Sequence, residues 1–118
     1  YYSPLDGDSS IIEIDSFIKK VQIEVIRLED FVKQKLSNKK IKLLKLEAEG
    51  AEPEVLEGSK EILKQVEYIA ADLGPERGLN KNCTLTEVTN FLQEQNFVIQ
   101  EFGYPRITAL FRNMDLIK

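Results

Sequence analysis

The sequence predicts an α/β fold: a mostly parallel sheet that closes with an antiparallel hairpin. Three observations carry this. The run Ile41 to Leu46, IKLLKL, is almost continuously apolar apart from its two lysines, as expected of a central strand covered on both faces. Apolar residues at three- and four-residue steps follow both this run and the next one, Val66 to Leu73 (VEYIAADL), which gives the order strand, helix, strand, helix. The last two runs, Phe97 to Phe102 and Ile107 to Arg112, are separated only by Gly103-Tyr-Pro-Arg106, the pattern of a hairpin. Two consecutive strand-helix units require right-handed crossovers between parallel strands, and the hairpin adds one antiparallel strand.

Element by element, Tyr1 to Ser10 is rich in turn formers and reads as loop. Ile11, Ile14, Phe17 and Ile18 fit the spacing of a short helix, although Asp15-Ser16 interrupts it. Residues 1–20 therefore form a loop and linking segment, and residues 21–118 the folded unit. In Val21 to Val25, VQIEV, apolar and polar residues alternate strictly, which predicts a strand with one wet face. Leu28, Phe31, Val32 and Leu36 predict a helix ending near Ser37-Asn38. A further helix starts about Pro53, with Glu52 and Glu54 where the helix dipole favours acids, and runs on through Ile62 and Leu63. Gly58 inside it costs roughly 1 kcal/mol against alanine, so close packing on a strand is expected there. Gly74 to Gly78 is a loop. Thr84 and Glu87 have the spacing of a capping box ahead of a helix whose apolar face is Leu85, Val88, Phe91 and Leu92.

Composition excludes several kinds of chemistry. The 118 residues carry 16 basic and 20 acidic side chains, a net charge of -4 that gives no long-range attraction to nucleic acid or to an anionic membrane. There is no histidine and one cysteine, Cys83, so an internal disulfide, the usual zinc and haem ligand sets and Ser-His-Asp or Cys-His catalysis are all absent. Carboxylates remain, which leaves a hard cation such as magnesium as the possible metal. Without an apolar span or a signal peptide, a soluble cytoplasmic protein is expected. The chain opens without methionine on what reads as an interior loop, which suggests a fragment.

The densest chemistry lies just past the first central strand, in Glu47-Ala-Glu-Gly-Ala-Glu52. Acids delivered by a strand's carboxyl end to a sharp glycine turn stand where open α/β sheets place their ligands. Glu47 and Glu49 are the candidate catalytic residues: a carboxylate held beside a substrate hydroxyl can take its proton as a base or hold a metal that acidifies it. The plainer reading is that these acids serve as caps and dipole partners, and Glu52, Glu54 and Glu57 fit it better. Arg77, in the loop after the second strand, and Asp72, at that strand's end, are the candidate substrate-binding residues, and Tyr104 and Arg106 could border the acceptor pocket. The basic run from Lys33 to Lys42 lacks interleaved aromatics and reads as a solvated surface.

Ile41 to Gly58 resembles the KxDVEGAExxVLxG segment of the FkbM-type methyltransferases, with Lys45, Glu49, Gly50, Ala51, Glu52, Val55, Leu56 and Gly58 matching. Glu47 stands where the family usually has aspartate and Ala48 where it has valine, which moves the first carboxylate outward by one methylene. VIRLEDFV at Val25 to Val32 is similar to the family's LDDF element, Tyr68 to Leu73 to its IIxE strand with Asp72 in place of glutamate, and ITALFRN to its closing strand. The resemblance implies the C-terminal half of a Rossmann-like methyltransferase sheet. It also implies S-adenosylmethionine as donor and a small-molecule or sugar hydroxyl as acceptor. The glycine-rich turn that binds the donor in such sheets is missing, since the six glycines never form G-x-G and Asp6-Gly7-Asp8 has no strand before it. As a fragment the chain is expected to be inactive alone and, through the open edge of the Ile41 strand, to form a homo-oligomer. A non-catalytic interaction module using the same edge, and a magnesium enzyme unrelated to methyl transfer, are the alternatives.

Overall fold

The computed structural model describes residues 1–2, 9–15 and 17–117. Most of the expected N-terminal loop, including Asp6-Gly7-Asp8, lies outside them. The main sheet has four strands: β1 (Ile41–Leu46), β2 (Val66–Asp72), β5 (Phe97–Gly103) and β6 (Thr108–Asn113), in the spatial order β1-β2-β6-β5. A small second sheet pairs β3 (Pro75–Arg77) with β4 (Asn82–Cys83) where the sequence reads as loop. The helices are α1 (Leu28–Lys35), α2 (Glu52–Glu57) and α3 (Leu85–Glu94), with a 3-10 helix at Lys60–Gln65 between α2 and β2.

The sheet corrects the expectation of a mostly parallel arrangement. β1 and β2 pair parallel, but β2–β6 and β6–β5 are both antiparallel. The chain after α3 does not lay β5 beside β2. It passes one position further out, and the hairpin folds β6 back into the gap. The hairpin is therefore not an addition at the rim but the inner neighbour of β2, and two of the three pairings take its sign. The fold is mixed α/β.

One face of this sheet holds the core. Leu44, Ile69 and Phe111 lie side by side across β1, β2 and β6, as do Leu46, Ala71 and Ala109. They cluster with Leu56 of α2, Ile62 and Leu63 of the 3-10 helix, and Val88 and Leu92 of α3. The side-chain period of two puts Leu43, Lys45, Ala70 and Leu110 on the other face. That face is partly open, with Leu43 54% exposed. Among the described residues β1 is thus an edge strand covered on one face only, not the doubly covered central strand its composition predicts.

Five further expectations are corrected. Val21 to Val25 forms no strand, and its apolar side chains are exposed. Among the described residues of 11–20 there is no helix; Lys19 makes an isolated bridge to Tyr2. The helix from Pro53 stops at Glu57, and the chain resumes as the 3-10 helix, because Gly58 and Ser59 form a turn whose carbonyl at Gly58 accepts from Glu29 N–H at 3.1 Å. Gly58 therefore packs on the start of α1, 3.9 Å from Arg27 Cα for an added Cβ, and not on a strand. Thr84 precedes α3 but does not cap it, since its hydroxyl is given to Glu52.

Candidate functional site

Topology brings one end of the sheet together. Because β1 and β2 run parallel with Leu46 beside Ala71, Glu47 emerges next to Asp72, the last residue of β2. β6 runs the opposite way with Thr108 opposite Asp72, so Arg106, two residues earlier, returns to the same end. Arg106 Nε donates to Asp72 Oδ2 at 2.5 Å, and its Nη2 reaches Asp72 Oδ2 and, at 3.2 Å, Glu47 Oε1. Lys45 also pairs with Glu47. Asp72 is only 8% exposed, and its Oδ1 is buried with no hydrogen-bond partner among the described residues. The bond to Asp72 raises the Arg106 guanidinium above its ordinary pKa.

The acid turn is built from inside and outside. Glu49 has φ of 48° and Gly50 of 90°, the left-handed region that lets the chain reverse within two residues. A Cβ on Gly50 would sit 2.4 Å from Arg77 Cα, so only glycine lets the β3 backbone pass this close. On the inner side, Glu52 is 1% exposed, and its Oε1 accepts from the N–H groups of Ala48 at 2.9 Å and Gly50 at 3.1 Å. Its Oε2 accepts from the Thr84 hydroxyl at 2.9 Å, which ties the turn to the start of α3. A carboxylate this deeply buried is tolerable because it accepts hydrogen bonds at both oxygens.

On the outer side Arg77 donates to the Gly50 carbonyl at 2.5 Å and forks onto both oxygens of Glu54, at 2.8 and 2.6 Å. This bidentate pairing holds the Glu54 carboxyl below the usual carboxylate range. Ser10 Oγ donates to the Glu49 carbonyl at 2.9 Å, fastening the N-terminal segment to the same turn. Next to Arg77, burial pushes the Glu76 carboxyl up to about 7, helped by the charges of Glu49, Asp72 and Glu52 and opposed by Arg106.

Two hollows flank the turn. One, of about 1160 Å³, lies between residues 19–26 and Glu47, Ala48 and Glu49. The other, of about 620 Å³, lies over Leu43, Ala70 and Leu110 on the open face and is rimmed by Glu47, Asp72 and Arg106. Glu47 lines both. Of the residues singled out from sequence, the structure brings Glu47, Asp72 and Arg106 into one cluster, with Glu49 on the wall of the larger hollow. Arg77 is engaged by Glu54 and Gly50, and Tyr104 is 84% exposed at the tip of the hairpin turn. The sequence reading missed Glu76, took Thr84 for a helix cap only, and treated Glu52 as structural or solvated. Glu52 proves structural and buried, which its place in the matching EGAE element could have signalled. Glu76 carries no such signal, being one acid in a short loop.

No group of three or more Asp, Glu or Cys side chains among the described residues is arranged to hold a metal ion, so the magnesium expectation finds no support. Glu47 and Asp72 are engaged by Arg106, Glu54 by Arg77, and Glu52 by backbone N–H groups.

The model of the methyltransferase FkbM domain matches residues 3–115. This chain belongs to the FkbM methyltransferase family. The match reaches back through the segment that the sequence reading set aside as a linker. No curated protein and no solved structure matches the chain significantly. Family membership implies a methyltransferase-related function and a small-molecule acceptor. No helix among the described residues is long and apolar enough to cross a membrane.

Proposed function

We propose that this FkbM chain forms the acceptor-side, C-terminal half of a methyltransferase domain with a Rossmann-like sheet, inactive by itself. The complete domain moves a methyl group from S-adenosylmethionine to a hydroxyl of a small molecule or sugar. The convergence of Glu47, Asp72 and Arg106 at the carboxyl ends of two parallel strands, beside two hollows, carries the reading. Ligands of open α/β sheets collect at such strand ends. Glu47 and Glu49 face the reaction centre, and Asp72 and Arg77 border the acceptor, with the bound Glu54 orienting the Arg77 guanidinium.

The residues present do not by themselves fit the donor. The glycines never form G-x-G, and the closest backbone approach, at Gly50, is filled by the chain's own Arg77. Donor binding thus falls to elements outside this chain. Calorimetry of the 118-residue protein with S-adenosylmethionine is expected to show no binding, and tight binding would overturn the half-domain reading.

A second reading rests on a separate observation: among the described residues β1 pairs on one side only. An open strand edge is a template for another chain. The isolated protein is expected to self-associate through it, as an interaction module would. Sedimentation showing a monodisperse monomer at micromolar concentration would remove this reading.

A further inference from the structure

The hollow over the open face of the sheet has an apolar floor and a polar end. The strand register places Ala70 of β2 beside Lys45 of β1 and Leu110 of β6, with Leu43 two residues before Lys45 on the same face. Ala70 carries a single methyl group on the middle strand, which leaves room for the space of about 620 Å³ above it. Leu43 and Phe102, which also line this space, are 54% and 52% exposed. At the carboxyl end the same alternation turns Asp72 onto this face, where Arg106 links it to Glu47. Asp72 is 8% exposed and lines the hollow, yet among the described residues nothing donates to its Oδ1. A buried acceptor without a donor is costly, and such an exception calls for an explanation. A concave, mainly apolar space with a few polar groups at one place is the usual form of a small-molecule site.

We propose that this hollow binds a neutral alcohol with an apolar ring, the ring lying over Ala70 between Leu43 and Leu110 and the hydroxyl donating to Asp72 Oδ1. A hydroxyl suits the polar end better than an ammonium group does. Arg106 and Lys45 already match the charges of Glu47 and Asp72, so the end needs a donor and not a further cation. A hydroxyl oxygen can also accept from the Arg106 guanidinium while its proton serves Asp72. A sugar, with hydroxyls around its ring, would strand several of them over the apolar floor. Resting on the methyl-transfer reading above, the alcohol is the methyl acceptor, and Glu47, which lines both this hollow and the larger one, stands beside its oxygen.

The test is a methyl NMR titration of the whole chain with benzyl alcohol, toluene and benzylamine, with no methyl donor present. Benzyl alcohol is expected to shift the Leu43, Ala70 and Leu110 methyl signals saturably. Toluene, which lacks the donor, is expected to bind the same methyls about tenfold more weakly, and benzylamine no better than benzyl alcohol. Asp72→Asn is expected to bring benzyl alcohol down towards the toluene affinity. Ala70→Leu fills the hollow and is expected to weaken both while the amide spectrum stays that of the folded protein. Methyl signals that do not move up to the solubility limit of benzyl alcohol overturn the site. So does toluene or benzylamine binding more tightly than benzyl alcohol, or an Asp72→Asn protein that binds benzyl alcohol unchanged. Such a failure leaves methyl transfer standing, and tight S-adenosylmethionine binding by this chain alone would overturn the half-domain reading and leave the alcohol site standing.

Discussion

Ile41–Leu46 and Val21 to Ile26 carry comparable strand patterns and end in opposite states. The first, IKLLKL, pairs along its length with β2. The second, VQIEVI, alternates more cleanly, yet forms no strand and leaves Val21, Ile23 and Val25 at 50%, 62% and 72% exposure. Alternation decides which side chains share a face; it does not supply the neighbouring N–H and C=O groups that a ladder needs. Ile41–Leu46 has that neighbour because the chain returns through α2 and the 3-10 helix to lay β2 alongside. Val21 to Ile26 leads into α1, which packs against the 3-10 helix and brings no strand to it.

The sharpest way to break this comparison is to remove one core residue on the paired side. Phe111, fully buried on β6, is expected to cost about 3–5 kcal/mol as Phe111→Ala, read from urea unfolding followed by circular dichroism. Next comes the acid turn after β1. Glu52→Ala strands two backbone N–H groups and the Thr84 hydroxyl, and is expected to cost about 2–3 kcal/mol in the same assay. Gly50→Ala meets both the left-handed φ and the Arg77 backbone, for about 2 kcal/mol.

A smaller effect comes with pH. Glu76 holds its proton up to about 7 when folded but releases it near 4.5 when unfolded, so the native state binds more protons in between. Its contribution to stability is therefore complete below about 4.5 and is lost as pH rises through 7. Glu76→Gln is expected to flatten that slope when urea midpoints are compared across the window. The smallest effect belongs to the unpaired segment: Val25→Thr is expected to change stability by less than about 0.5 kcal/mol. A core-sized loss there would mean that this segment is packed after all, and the comparison would fall.

Much of the site was legible because its parts are local. The strand-to-acid-turn element at Ile41 to Glu52 and the strand ending in Asp72 were read within a residue of their observed bounds, and Glu47, Asp72 and Arg106 were all singled out. Their meeting was not legible, because it depends on β6 entering the sheet between β2 and β5. Thr84 shows the same limit on a smaller scale. Its spacing to Glu87 is that of a capping box, but a buried carboxylate from α2 lies within reach, and the hydroxyl serves the stronger, charged acceptor. Gly58 was read as packing on a strand from propensity alone, whereas its neighbour is the first turn of α1.

By itself, the sequence determined the apolar runs that become strands, the reversal at Gly50, the family and the absence of histidine and thiolate chemistry, since each follows from residue type and near-neighbour spacing. Tertiary structure alone decided that the sheet is mainly antiparallel in its pairings, that Val21 to Ile26 forms no strand, that Glu52 is the buried centre of the acid turn and that Arg106 joins Asp72 to Glu47. Those outcomes depend on which distant segments become neighbours, and burial and charge act between neighbours in space, whatever their separation along the chain.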